Sequence, residues 1–475
     1  MDSEGPASPP FRRLPPVNAV LDRPSLADAI RGRGREAVVG AVRAAIERAR
    51  EALRDGGDVA IDVDELARLA GASLADDGPR LRPVLNATGI LLHTGLGRAP
   101  LAAEAAEAVA RVARGYCNLE IDLDTGDRGR RADGVAELLR RLTGAEAATV
   151  VNNNAGATVL VLRALAAGKE VVVSRGQLVE IGGSFRLPEI FGVSGARLRE
   201  VGTTNRTRLE DYAKAIGPET AALLRVHASN YRIVGFAEEV PIGPLARLAA
   251  ERGLAAIDDV GSGALAPGRP NLPAAEPTIA EGLAVGADVV LASGDKLLGG
   301  PQCGLIVGKS AAIARVERDP LMRALRVDKL TLAALEATLR LALAGRDVPL
   351  WSFLDAPIDS LRDRAGRLAE SLRADPGLDA TAVDSTAFLG GGSVPAESLP
   401  SAAVRLVPPA IGREADLARA LRLGDPSVFP RVHAGAVLLD LRALPEADDP
   451  ALLAAVRRIL PPSPAGSGSA LALPS

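Results

Sequence analysis

Residues 288–300 read DVVLASGDKLLGG, an apolar run that delivers Ser293-Gly294-Asp295-Lys296 and then a glycine pair. A short, continuous run rich in Val and Leu is the pattern of a strand buried on both faces. The chain uses lysine at only five positions, 169, 214, 296, 309 and 329, and carries its other cations as arginine. A lysine that could have been arginine is ordinarily a surface charge. One that could not be is chosen because an amine can lose its proton and form a Schiff base. Lys296, at a strand end and beside an acid, fits the second description best. Lys169 and Lys309 read as strand edges, Lys214 as part of a surface helix, and no strand end delivers Lys329.

Outward from this strand, apolar runs alternate with helical patterns from about 80 to 340. EAATVVNN, KEVVVS, TAALLRVH, GLAAIDDV, ADVVLAS and CGLIVG read as strands. LAAEAAEAVARVA, DGVAELLRRLTG, ATVLVLRALAAG and IGPLARLAAERG read as helices. Such alternation predicts an α/β fold with a doubly wound, mainly parallel sheet, whose ligands gather at the C-terminal strand ends. The expected domains are a helical region at 1–80, a large α/β domain at 81–345, a smaller α/β domain at 346–460 and a disordered tail at 461–475. In the first, Ser25 is a candidate N-cap and residues 30–54 read as an amphipathic helix carrying seven Arg and three Glu. On charge alone that is a solvated helix face, with a phosphate-contacting surface as the alternative.

The totals exclude several classes. A net charge of −3 does not announce a nucleic-acid binder, and two cysteines give neither a disulfide framework nor metal-ligand spacing. The start, MDSEGPASPPFRR, lacks the apolar core of a signal peptide, and no apolar run is long enough to span a bilayer. A cytoplasmic location is expected.

Three features fall at predicted strand ends. VVNNNAGATVL (150–160) runs into a turn at Asn154, Ala155 and Gly156, with Thr158 beyond. A helix starting there offers backbone N–H groups to a phosphate. AAIDDVGSG (255–263) delivers Asp258 and Asp259, either to hold a ring nitrogen protonated or to cap the following turn. The third is Lys296 itself. Phosphate cradle, acid and lysine, in that order on this fold, point to an aminotransferase-like (fold type I) enzyme dependent on pyridoxal 5′-phosphate, with Lys296 as the Schiff-base residue.

Longer stretches carry a resemblance. SGDKLLGGPQCG (293–304), LMRALRVDKLTLAALEATLRL (321–341), LNATGILLHTGLGRAPL (85–101), GYCNLEIDLDTGDRG (115–129) and VEIGGSFRLPEI (179–190) are similar to bacterial selenocysteine synthases, the L-seryl-tRNA(Sec) selenium transferases. GTTNRT (202–207), SNYRIVGF (229–236), GGGSVP (390–395), VLLDLR (437–442) and the N-terminal LPPVNAVL (14–21) extend it over nearly the whole chain.

The resemblance implies a seven-stranded sheet, a tRNA-binding N-terminal domain, and conversion of seryl-tRNA(Sec) with selenophosphate as donor. Elimination of the serine hydroxyl would leave an aminoacrylyl group to which selenium adds. It implies Asp295 as a proton-transfer acid beside Lys296, Asp259 as the partner of the ring nitrogen with Asp258 spare, and Arg98, Arg323 and Arg326 as anion-site arginines. His227 would lie over the cofactor. It also implies a homo-oligomer, a dimer and beyond it a ten-subunit ring of dimers. Two departures stand out: Gln177 where the family commonly has Glu, and Asp133-Gly134-Val135 where it has His-Val-Glu. Cys117 and Cys303 are expected to be inert. The competing readings are a pyridoxal-phosphate lyase of a small amino acid or amino-sugar acid, and a non-catalytic RNA-binding paralogue.

Overall fold

Gly34 breaks the long helix predicted for residues 30–54. In the computed structural model, which describes residues 14–54, 62–76, 80–181, 185–228, 231–265, 276–375, 379–390, 398–408 and 413–459, this glycine takes φ 85°. A residue with Cβ is strained there, so one helix ends at Arg33 and another runs Arg35–Arg54. Ser25 is not an N-cap; it lies inside the 3₁₀ turn Pro24–Leu26. The chain forms two compact units, residues 1–83 and 84–475.

In the first unit, Val38, Val42, Ala45, Ile46 and Ala49 form the buried stripe of Arg35–Arg54. They belong to one core with Leu66, Ala67, Ala70 and Leu74 of the helix Val63–Asp76 and with Val20, Leu21 and Leu26. Arg35, Arg43, Arg48 and Arg54 are exposed, as the amphipathic reading requires. The expectations for residues 1–10 and 461–475 lie outside the described residues.

In the second unit the strands are β1 (Val84–Ala87), β2 (Ala147–Val151), β3 (Glu170–Ser174), β4 (Glu180–Ile181), β5 (Phe185–Arg186), β6 (Arg197–Val201) and β7 (Thr220–Val226). They continue with β8 (Ala255–Gly261), β9 (Val289–Ser293), β10 (Gly304–Gly308), β11 (Asp379–Phe388), β12 (Ser398–Val407), β13 (Ser427–His433) and β14 (Ala436–Asp440). A seven-stranded sheet has the order β2-β10-β9-β8-β7-β3-β6. Only β10 runs against its neighbours. The connection from Ser293 to Gly304 is too short for the helical crossover that a parallel return needs, about a dozen residues or more. It therefore turns back as an antiparallel strand.

Side-chain alternation sends Val172, Leu223, Ala256, Val290 and Leu305 to one core and Val171, Leu224, Ile257, Leu291 and Ile306 to another. Both faces are thus buried, which is why the strands read as continuous apolar runs. β4 and β5 form a separate two-stranded ribbon. The second large sheet has the order β1-β13-β14-β12-β11. Leu361, Ala365, Leu368 and Leu372 of the helix Ile358–Arg373 share its core. Val84–Ala87, which the sequence groups with the large domain, pairs in parallel with β13 of this sheet. Pairing at that separation leaves no local pattern to read. Among the described residues, no helix is long and apolar enough to cross a membrane.

Candidate active site

The turn after β9 is fixed by its glycines. A Cβ on Gly294 would lie 2.4 Å from Cys303 Sγ and 2.7 Å from the Pro301 carbonyl oxygen. Gly299 takes φ 70°, and a Cβ there would meet Val348 at 2.3 Å. These close approaches hold Lys296 in the interior, 4% exposed. Burial, and then the Arg98 guanidinium, push its amine down from 10.5 to about 8, against the opposing pull of Asp295, Asp259 and Glu276. An amine in that range exchanges protons readily near neutral pH.

Period-two alternation separates the adjacent acids of β8. Asp259 faces the helix Asn154–Ala166, where Asn154 Nδ2 donates to Oδ1 at 2.9 Å and Thr158 Oγ1 to Oδ2 at 3.1 Å. Asp258 points to the other face and pairs with Arg225 at 3.0 Å. Burial pushes the Asp259 carboxyl up, against the two donors and Lys296. A cationic ring N–H placed against it would pull it back down. Asp259 also accepts the backbone N–H of Gly261 and so holds the following turn as well, whereas Asp258 is turned to Arg225.

At the start of the helix Asn154–Ala166, Asn153 is the N-cap, and its side chain accepts the Gly156 N–H at 2.7 Å. Of the expected cradle, Gly156 is therefore already occupied, and the amides of Asn154 and Ala155 are the ones with no intrahelical acceptor. Gly156 serves by lacking a Cβ, which would come 2.8 Å from Asn152 Oδ1. His227 donates its backbone N–H to the Asp259 carbonyl, and its Nε2 stands 3.4 Å from Glu276 Oε2. Sequence reasoning missed Thr158 as a partner of Asp259 and missed Glu276 altogether; the i+4 spacing from Asn154 signalled the first, and nothing local signalled the second.

Among the described residues, the buried Asn154 Oδ1, Ser262 Oγ, His227 Nε2 and Glu276 Oε1 have no hydrogen-bond partner. Buried polar atoms left open in this way call for a polar ligand. With Asp259 for a ring nitrogen and a helix N-terminus for a phosphate, the residues fit pyridoxal phosphate.

Arg98 Nη1 donates to both Asp295 oxygens, at 3.1 and 2.9 Å. It holds a positive φ of 62°, unusual for a residue with Cβ. Arg323 and Arg326 stand elsewhere in the unit: with Glu120, Arg131 and Glu317 they line a cavity of about 330 Å³. The helix Leu321–Leu325 ends before Arg326, which is extended, so the two arginines share that cavity but not a helix face. Among the described residues, neither is paired with Asp295.

The departures have structural accounts. Gln177 is buried, and its Oε1 accepts the Val226 N–H at 3.1 Å, a task an amide oxygen performs as well as a carboxylate. Asp133 begins the helix Asp133–Thr143, and Val135 is in the core. Burial pushes the Cys303 thiol far up, away from thiolate chemistry.

The sequence profile of the family described as L-seryl-tRNA selenium transferase matches residues 84–445, and that of the selenocysteine synthase N-terminal region matches residues 11–50. The chain belongs to the L-seryl-tRNA selenium transferase family. Among its relatives, the L-seryl-tRNA(Sec) selenium transferase of Desulfomicrobium baculatum is 48% identical over 461 residues, covering 95% of this chain and 99% of that protein. The protein of the same name from Hyphomonas neptunium is 44% identical, covering 94% and 98%. A solved structure of D-glucosaminate-6-phosphate ammonia-lyase shares the α/β fold at a TM-score of 0.56 and 24% identity, covering 80% of this chain and 95% of that one.

Proposed function

We infer that the chain converts L-seryl-tRNA(Sec) to L-selenocysteinyl-tRNA(Sec) in the cytoplasm, with pyridoxal phosphate as cofactor and selenophosphate as selenium donor. The observation that carries this is Lys296, buried with its amine lowered to about 8, set between the Asp295–Arg98 pair and the Asp259–Asn154–Thr158 cluster. Family membership over most of the chain supplies the substrate.

When bound, pyridoxal phosphate supplies the electron sink that makes the serine α-proton acidic. Asp259, held by Asn154 and Thr158, keeps a ring nitrogen protonated. The amides of Asn154 and Ala155 would hold the cofactor's phosphate, and His227 would contact its ring. Lys296 takes the α-proton. Asp295, oriented by Arg98, passes the proton that Lys296 took on to the departing β-hydroxyl, which leaves as water, a step that general acid catalysis speeds by about 10²–10⁴-fold. Arg98, Arg323 and Arg326 are the anion-binding arginines; the chain acts as a homo-oligomer, a dimer and a ring of dimers, in which the arginine pair at 323 and 326 serves a neighbouring site. The exposed arginines of Arg35–Arg54 contact the tRNA backbone.

The test is the visible absorbance of the cofactor-loaded protein, titrated with seryl-tRNA(Sec) and separately with free L-serine. A shift of the band by the aminoacyl-tRNA alone is expected. An equal shift with free serine makes the protein a small-molecule lyase, and no band at all removes Lys296 from its role.

A further inference from the structure

On the face of the seven-stranded sheet turned away from Asp259 lies a cavity of about 300 Å³, at the lower end of the roughly 300–1,000 Å³ of small-molecule sites. Arg225 of β7 and Asp258 of β8 line it, together with the start of the helix Ile242–Glu251. Both side chains belong to residues at least nine-tenths buried. One hydrogen bond joins them, from Arg225 Nη1 to Asp258 Oδ1 at 3.0 Å. Among the described residues, the buried Arg225 Nε and Asp258 Oδ2 have no partner. The pair thus keeps one donor and one acceptor open, which is costly unless a ligand completes them. A Cβ on Gly282 would stand 2.9 Å from Asp258 Oδ2, so glycine at that wall leaves the oxygen uncovered.

The helix supplies further donors. Its N-cap is Pro241, which makes no side-chain cap, so the amides of Ile242 and Gly243 have no acceptor of their own. That end of the helix also carries partial positive charge. Arg247, about a turn further along, is exposed at the rim and has no partner among the described residues. On the acidic side stands Glu281, whose Oε2 accepts the Thr278 N–H and O–H at the start of the next helix. The formal charges around the cavity therefore balance, Arg225 and Arg247 against Asp258 and Glu281. A lone anion or cation would upset that balance between walls of Pro241, Pro244, Pro277 and Val285. A zwitterion keeps it, with its two poles already assigned: the donors take a carboxylate and Asp258 Oδ2 takes an N–H.

We propose that this cavity is a second ligand site, for a small α-amino acid. The carboxylate meets Arg225 Nε, Arg247 and the amides of Ile242 and Gly243, and the ammonium donates to Asp258 Oδ2. The occupant sits behind Asp259, the next residue of β8, and so bears on the strand that carries the cofactor's acid without entering the catalytic site. The proposal does not depend on which substrate that site takes.

The test is calorimetry on the cofactor-loaded full chain with N,N-dimethylglycine, a zwitterion that has one N–H but, as a tertiary amine, cannot condense with the cofactor aldehyde. Saturable binding is expected, half-complete at about 1 mM, an ordinary affinity for so few atoms. Trimethylglycine keeps both charges without an N–H, and acetate keeps the carboxylate alone. Each should bind at least about tenfold more weakly, the scale of losing one charge-assisted hydrogen bond. Val285→Trp, at a wall position 44% exposed, should fill the cavity and abolish binding, and Arg247→Ala should weaken it about tenfold, both with the cofactor absorbance of the wild type. No saturable binding to the wild-type chain overturns the proposal. So does trimethylglycine or acetate binding as tightly as N,N-dimethylglycine, and so does unchanged binding in a Val285→Trp variant that keeps its absorbance. Where that variant does not fold, Arg247→Ala and the three wild-type ligands decide.

Discussion

Replacing Lys296 by Met in the cofactor-free protein should make it more stable, although the change destroys the enzyme. The ordinary lysine value of 10.5 falls to about 8 in the folded chain. That gap of about 2.5 pH units corresponds to ~3 kcal/mol, at about 1.36 kcal/mol per unit. The folded value lies below the unfolded one, so the buried ammonium costs the full amount below pH 8. The cost declines as pH rises and is lost above 10.5. Met is close to Lys in length and apolar, so K296M removes the charge without opening a large void. For a chain of this size ~1 kcal/mol moves the unfolding midpoint by roughly 1 °C. Thermal unfolding of both proteins, stripped of cofactor, should therefore show K296M ahead by about 3 °C at pH 7 and level at pH 10.5. A variant no more stable at pH 7, or one whose advantage does not change with pH, would refute the claim that burial sets the lysine.

The neighbouring acids of β8 should separate cleanly. Asp259→Asn should lower kcat by about 10²–10³-fold, the scale of losing one preorganised electrostatic partner, with little change in the unfolding midpoint. Asp258→Asn should leave Arg225, 11% exposed, without its carboxylate, and cost ~3 kcal/mol of stability while sparing the cofactor absorbance. Arg98→Ala and Arg98→Gly should both lose activity, since each frees Asp295. The Gly variant should be the more stable by ~1 kcal/mol in denaturant unfolding, because glycine accepts the positive φ that Arg98 holds.

What could be read from the sequence was what is local. The strand into Lys296, the strand into Asp258 and Asp259, and the helix after Asn153 each announce themselves within a dozen residues, because burial on both faces leaves apolar runs bounded by glycine. Choosing Asp259 over Asp258 rested on resemblance; the structure gives the physical reason, that consecutive strand residues face opposite sides. Gly34 was visible as a glycine but not as a break, since isolated glycines are tolerated in helices. Glu276 could not be found, because its place beside His227 is a long-range contact and follows from no local spacing. The positions of Arg323 and Arg326 were equally hidden: three residues apart suggests one helix face, and the helix stops one residue too soon.

The edge strand β1 has a consequence for how the protein is made. Ser427 pairs with Val84, and the backbone amides of Leu91 and Leu92 bond to the carbonyls of Phe388 and Leu389. The segment that carries Arg98 to Asp295 is thus anchored by residues made far later in the chain. Until they emerge, the seven-stranded sheet can assemble around Lys296, but the nascent chain lacks the clamp that brings Arg98 to it. Such long-range closure is slow compared with local helix formation. Truncating the chain before β13 would leave the strand preceding the site as an open edge, a liability for aggregation as much as for catalysis.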